Sequence, residues 1–192
     1  RMEAIMSTFS LPFPNKALAY KELTYDPCYS KIPQQHRQSI VESAWQKGEQ
    51  AARDVYEAFC GNMDFREIAQ NSGLVIEKKN RDYVVGNRRY FSDYISGKNL
   101  LILYLSSISL WAKSNALDLS TAINIIISHE YFHFLEWTKL GLTSRDYTVP
   151  MLLIGKLKLG KTGIRALSEI GAHAFAHTYF SLAGNKGEEV LE

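Results

Sequence analysis

The chain has 192 residues, of which 46% are hydrophobic and 22% are charged, and its formal net charge is +2. This composition is typical of a globular protein and excludes a disordered one, and the length suits a single domain with a sizeable core. The small net charge predicts no direct nucleic-acid partner. Because no stretch approaches the roughly 20 apolar residues of a membrane span, and no secretory signal is recognisable, a cytoplasmic protein is expected.

The amino-terminal part differs from the rest in its prolines. Four of the five prolines lie within residues 1–35. Proline at this density interrupts helices and sheet pairing, so residues 1–35 are predicted to form an extended arm. Residues 36–183 then form one folded domain, and the polar residues 184–192 form a tail.

The middle of the chain alternates helical and strand patterns. Apolar residues recur at three- and four-residue spacing from about 35 to 59, which predicts an amphipathic helix. Asp64 is suited to cap a second, short helix that Gly73 would end. Short apolar runs, with Gly86-Asn87 as a turn signal, then predict short strands at 74–76, 83–85, 89–91 and 99–105. These strands predict a small mixed or antiparallel sheet packed on helices, which makes the fold α+β.

The second half is predicted to be mainly helical. One helix is expected from 106 to about 114, and Asp118 or Ser120 can cap a longer one that continues to about Leu140, before Gly141. A loop follows over 142–150, the pattern over 151–159 fits a strand or a helix, and a last helix covers about 162–182.

The long helix carries the sequence His129-Glu130-Tyr131-Phe132-His133. Two histidines four residues apart lie on one face of a helix, so their rings can bind one metal ion. Glu130 lies about 100° around the helix from His129, where it can reach the open side of the ion without binding it. This is the H-E-x-x-H pattern of zinc hydrolases, in which the glutamate is the general base.

A catalytic zinc site needs a third protein ligand, and the best candidate is Glu169. A third histidine shortly downstream is excluded, because Glu136 and Lys139 occupy the positions that such a motif reserves for glycine and histidine. Glu169 lies in the last helix. The small residues around it allow this helix to approach closely the helix that carries His129 and His133. A carboxylate buried there needs a counter-charge, which zinc would supply.

Other side chains near these positions leave alternatives open. His173 and His177 follow Glu169 by one and two helical turns, so either can be a ligand in its place, a donor to the reacting oxygen, or an ordinary structural histidine. Glu136 can orient His133 or lie at the surface. Candidate hydroxyl donors are Tyr131, Tyr147 and Tyr179.

Taken together, the motifs resemble the ImmA/IrrE type of zinc metallopeptidase, a gluzincin-like group. The resemblance covers roughly residues 38–182: the Phe65-Arg66-Glu67-Ile68-Ala69 and Gly73-Leu74-Val75-Ile76 segments, the H-E-x-x-H pentapeptide, and an E-x-x-A-x-x-F-A pattern that begins at Glu169. It implies a zincin-like domain, zinc on His129, His133 and Glu169, and Glu130 as the base. It also implies a protein substrate, such as a helix-turn-helix repressor.

Two functions are therefore expected as alternatives. The first is a zinc-dependent metallopeptidase that hydrolyses a peptide bond with water activated by zinc and by Glu130. The second is a non-catalytic regulatory or binding protein that retains the zincin scaffold and uses the metal site as a sensor or a structural element. A third alternative is the hydrolysis of an amide that is not a peptide, which would use the same zinc-activated water as the metallopeptidase.

Overall fold

The computed structural model describes residues 11–154 and 157–189, and it combines α-helices with small sheets, which confirms the predicted α+β class. None of the helices in these ranges has the length and apolar composition needed to cross a membrane. A π-helical turn, Glu136–Leu140, follows α5 directly and ends at Gly141, which has a φ of +74°. The helices are α1 Lys16–Thr24, α2 Gln34–Ala58, α3 Phe65–Asn71, α4 Leu105–Ser114, α5 Leu119–Leu135 and α6 Arg165–Glu189.

The strands form one three-stranded mixed sheet and two hairpins. In the three-stranded sheet the central strand, β5, is parallel to β1 and antiparallel to β4. The hairpins pair β2 with β3 and β6 with β7. The sequence pattern did not predict β4, because its residues are mostly polar. The strands are β1 Val75–Lys79, β2 Tyr83–Val85, β3 Arg88–Tyr90, β4 Ser92–Ile95, β5 Leu100–Tyr104, β6 Thr148–Ile154 and β7 Leu157–Gly163.

The prediction of an extended amino-terminal arm is wrong for its central part, which forms α1. The prolines flank this helix instead of interrupting it, and Asn15 caps it by accepting a hydrogen bond from the backbone N–H of Leu18 (3.3 Å). Ala19 and Leu23 are buried against α2 and α6, and Ile32 joins the same apolar cluster. Residues 16–32 of the predicted arm are therefore part of the folded body, and residues 1–10 lie outside the described residues.

The carboxyl-terminal third also differs from the prediction. For the segment over 151–159 strand and helix were both possible. Residues 151–154 belong to β6 and residues 157–159 to β7, while 155 and 156 lie outside the described residues, and β6 begins within the predicted loop. The last helix starts at Arg165, later than predicted, because residues 162 and 163 pair in β7. It continues through most of the predicted polar tail to Glu189, and residues 190–192 lie outside the described range.

Helix α6 is packed tightly between α2 and α5, and two glycines make this possible. A Cβ atom at Gly48 of α2 would collide with the backbone carbonyl oxygen of Gly171 in α6. A Cβ atom at Gly171 would in turn lie 2.7 Å from the ring of Phe132 in α5. Such close approach of the helices places the side chains of α6 next to the face of α5 that carries the histidines.

Candidate metal centre

The two histidines of the pentapeptide lie side by side near the end of α5. Asp118 caps the start of this helix, as expected, by accepting a hydrogen bond from the backbone N–H of Thr121 (3.0 Å). His129 and His133 are one turn apart on the same face, and their Nε2 atoms are 3.3 Å from each other. Two ring nitrogens approach this closely when they share a proton or a cation, since facing lone pairs repel.

Glu169 extends from α6 to both histidines. Its Oε2 atom lies 3.3 Å from Nε2 of His129, and its Oε1 atom lies 3.6 Å from Nε2 of His133. In a tetrahedral zinc site with Zn–N distances of about 2.0–2.1 Å, neighbouring ligand atoms are about 3.3 Å apart. The three residues that the sequence indicated therefore come together with a spacing that fits a metal ion of this kind.

The charges of this group are strongly coupled. Burial alone would raise the pKa of Glu169, but the hydrogen bond to His129 and the nearby charge of His133 hold that pKa well below its usual range. Burial likewise opposes a charge on His133, yet the carboxylates around it, foremost Glu136 and Glu169, raise its pKa to about 9. The carboxylates therefore strongly favour positive charge between them, which a bound cation would also supply.

His133 is held from behind by the buried carboxylate of Glu136. Nδ1 of His133 lies 2.9 Å from Oε2 of Glu136. The other oxygen of Glu136 accepts hydrogen bonds from the backbone N–H of Thr143 and the hydroxyl of Ser168, both at 2.8 Å. Although burial would raise the pKa of Glu136, the contacts with His133 and Thr143 lower it. Of the two positions predicted for this glutamate, the structure shows the one that orients the histidine.

His129 is held differently. Its Nδ1 atom is buried and has no hydrogen-bond partner among the described residues. Rings pack on it instead: the ring centroid of Phe13 lies 5.3 Å away and that of His173 lies 5.1 Å away. On its Nδ1 side, packing and not a hydrogen bond therefore limits the orientation of this ring, while its Nε2 atom faces Glu169 and His133.

His173 is the nearest additional histidine. It is buried, and a nitrogen of its ring lies within 4.8 Å of ligand atoms of His129 and Glu169, so these three residues form a second possible metal-binding set. Among the described residues His173 makes no hydrogen bond or ion pair with the other two, whereas His133 is 3.3–3.6 Å from them. Burial, followed by the charge of His129, lowers the pKa of His173 to about 3, so its ring is neutral at pH 7.

His177 does not reach the centre. Its Nε2–H donates a hydrogen bond to the backbone carbonyl of Phe13 (3.1 Å), and its ring packs beside Trp45 with centroids 6.2 Å apart. The roles of metal ligand or oxygen donor that were considered for His177 are therefore wrong for this arrangement. Its contact instead fixes the amino-terminal segment beside the site.

Glu130 lies next to the three candidate ligands and faces open space. The hydroxyl of Ser92, in β4, donates a hydrogen bond of 2.6 Å to its Oε1 atom. Glu130 lines a cleft of about 410 Å³ and also a second cavity of about 320 Å³, on the other side of the site. A substrate could therefore reach this carboxylate from either side. The sequence did not point to Ser92, because β4 itself was not predicted.

The tyrosines proposed as donors are all engaged elsewhere. The hydroxyl of Tyr131 is 2.7 Å from that of Ser72, and Tyr179 donates to the carbonyl of Asn62 at 2.6 Å. Tyr147 contacts His36, with its hydroxyl 2.8 Å from Nδ1. Two other residues line the 410 Å³ cleft and were not predicted from the sequence, Tyr94 and Arg165. No local pattern distinguishes them, because an exposed arginine at a helix start is common.

The centre thus combines three candidate metal ligands, a carboxylate beside them, and two cavities next to that carboxylate. Comparisons with models of protein families, with curated proteins and with solved structures found no match to this chain. What the site does is therefore inferred from its own residues.

Proposed function

We propose that the protein is a zinc-dependent metallopeptidase. The observation that carries the proposal is the convergence of the two Nε2 atoms, 3.3 Å apart, with the Glu169 carboxylate, whose oxygens lie 3.3 Å from His129 and 3.6 Å from His133. Two nitrogens and a carboxylate oxygen are ligands that zinc prefers, and three protein ligands leave a fourth position for water or substrate. Zinc in this site would supply Lewis acidity and lower the pKa of a bound water molecule to about 7.

The residues of the chain have distinct tasks in such a reaction. Glu130 accepts a proton from the attacking water and later delivers it to the leaving amine, as a general base and acid. Ser92 keeps one carboxylate oxygen of Glu130 in place through its 2.6 Å hydrogen bond. Glu136 accepts a hydrogen bond from Nδ1–H of His133, which leaves Nε2 of that ring available as a ligand.

The substrate class follows from the sequence resemblance. Since the motifs resemble those of the ImmA/IrrE metallopeptidases, we propose a regulatory protein as the substrate, with a helix-turn-helix repressor as the first candidate. The 410 Å³ cleft supports a peptide in this role, because it is open and carries hydrogen-bonding side chains beside the ligands. Arg165 lies in the same cleft and offers a positive charge to an acidic residue of the peptide.

The non-catalytic alternative is favoured by one observation, the proximity of His173. With His129 and Glu169 it forms a set of ligand atoms within 4.8 Å. If His173 joined His133 as a fourth ligand, the ion would have no open position, which is the hallmark of a structural zinc site. The protein would then use its metal for stability or sensing.

Glu130→Gln tests the peptidase proposal. The variant is expected to bind one equivalent of zinc and to lose activity by about 10²–10⁴-fold, because the amide cannot accept the proton. Zinc content is measured by atomic absorption, and cleavage of a defined peptide library by mass spectrometry. Glu57→Gln, at an exposed position of α2, is the control that should retain activity. Full activity of Glu130→Gln would contradict the mechanism, and a zinc-loaded wild type without activity would favour the alternative.

A further inference from the structure

The second cavity has a character different from that of the main cleft. It has a volume of about 320 Å³ and shares His129, Glu130 and Glu169 with the main cleft. Its remaining lining consists of Ser92 and His173 and of apolar residues from segments far apart in the chain: Pro12, Phe13, Phe91, Trp111 and Ile126. A space of this size next to Glu130 suits one side chain of a bound peptide. The apolar residues offer contact to an apolar side chain, and the hydroxyl of Ser92 already donates to Glu130, whereas an acidic side chain would meet the carboxylates of Glu130 and Glu169.

Phe13 is a fixed wall of this cavity. Its ring packs on Trp111, with centroids 5.9 Å apart, and on His129 and His173 at 5.3 and 5.4 Å. Its backbone carbonyl accepts the hydrogen bond from His177. Two residues earlier, Leu11 is buried against Ile125 and Ala176, so the segment is held on both sides of Phe13.

We propose that Phe13 determines the specificity of a subsite that receives a large apolar side chain, aromatic or branched aliphatic, of the substrate. In its catalytic role the subsite rests on the proposed peptidase function. Phe13 lines the cavity together with Trp111 of α4, and its ring also packs on His129. The size of residue 13 therefore sets the size of the side chain that fits.

Binding of single-residue probes tests the subsite without any requirement for catalysis. N-acetyl-phenylalanine amide and N-acetyl-glycine amide are titrated into the full chain, metal-free and zinc-loaded, while NMR follows the indole signal of Trp111. The phenylalanine amide should shift this signal and the glycine amide should not. Phe13→Trp, which narrows the cavity, should weaken the response about tenfold. Tyr25→Trp, an exposed position of the same segment outside the cavity, should leave it unchanged. Equal responses to the two amides overturn the subsite.

Cleavage of a peptide library provides the second readout. Wild type should favour large apolar residues at one position beside the cleaved bond. Phe13→Leu, which widens the cavity, should shift the preference toward larger aromatic residues, and Phe13→Trp should shift it toward smaller ones. Opposite shifts distinguish a specificity wall from general destabilisation, which would lower all cleavage alike. Profiles that stay unchanged in both variants overturn the subsite and leave the peptidase in place. If neither the wild type nor the variants cleave any peptide, the peptidase proposal is overturned. The amide titration then tests the subsite by itself.

Discussion

The two flanks of the metal centre hold their histidines by different physical means. On the polar flank, formed by Glu136, Thr143 and Ser168, hydrogen bonds of 2.8–2.9 Å connect His133 to the buried carboxylate and to the backbone. On the aromatic flank, formed by Phe13, Trp111 and His173, rings pack on His129, whose Nε2 atom faces Glu169 and His133 and whose Nδ1 atom has no partner in the described structure.

This difference shows which property each flank controls. A directional bond to Nδ1 fixes both the tautomer and the ring orientation of a ligand histidine, so in the proposed metal site the polar flank would determine metal affinity. Packing limits the ring of His129 to one position without a hydrogen bond to its Nδ1 atom. The aromatic flank therefore tolerates changes that preserve ring shape, and it leaves space for a bound molecule.

Both flanks depend on the position of α6, so Gly48→Ala should have the largest effect. The added Cβ would collide with the carbonyl oxygen of Gly171, and overpacking against backbone should lower the free energy of unfolding by about 3 kcal/mol. Helix α6 would shift outward, separate Glu169 from the histidines, and reduce zinc binding as well. Thermal unfolding and zinc titration measure the two effects.

Gly97→Ala is the matched control for this substitution. A Cβ atom at Gly97 meets no atom within 4 Å, and the residue lies away from the helices that form the site. Its unfolding free energy and zinc affinity should stay close to those of the wild type. An equal loss of stability in both variants would show that the close contact between α2 and α6 is not what positions the centre.

Glu136→Gln should break the polar flank and leave the aromatic one intact. The amide retains the shape of the side chain but loses the charge that attracts the Nδ1 proton of His133, so zinc affinity should fall about 10–100-fold. In the metal-free protein, Glu136 also helps to raise the pKa of His133 to about 9. Protonated His133 therefore adds stability up to the unfolded-state pKa near 6.5, and that contribution disappears as the pH rises through 9.

The same substitution thus has a pH signature. Between pH 6.5 and 9 the unfolding free energy of the metal-free wild type should decrease because of His133, and Glu136→Gln should show a smaller decrease. Denaturant titrations at several pH values measure this slope. Glu67→Gln, an exposed substitution in α3, controls for a general effect of losing a carboxylate. Identical slopes and unchanged zinc affinity in Glu136→Gln would remove the distinction between the flanks.

The polar flank was largely accessible from the sequence, and the aromatic flank was not. Glu136 follows His133 by three residues, and such neighbours on a helix are in contact by geometry alone. Glu169 could be selected because small residues surround it and His173 follows it by one helical turn. This pattern indicated a helix that packs closely against the rest of the domain. Phe13, in contrast, reaches the site through a contact with His177, 164 positions away in the chain. No local pattern records such a pairing, and the prolines beside Phe13 suggested an extended arm.

Of these substitutions, His173→Phe should have the smallest effect on zinc binding. It nevertheless distinguishes the proposed metallopeptidase from the non-catalytic alternative. Phenylalanine keeps an aromatic ring against Phe13 and His129 but offers no nitrogen to an ion. If His133 completes the site, zinc stoichiometry should stay at one, and the affinity should change by far less than the 10–100-fold typical of a lost supporting contact. Isothermal titration with zinc gives both values, and His133→Phe should abolish tight binding in the same assay.

A His173→Phe variant that loses zinc as completely as His133→Phe would make His173 a ligand. The fourth position would then be closed, and the aromatic flank would hold the metal as firmly as the polar one.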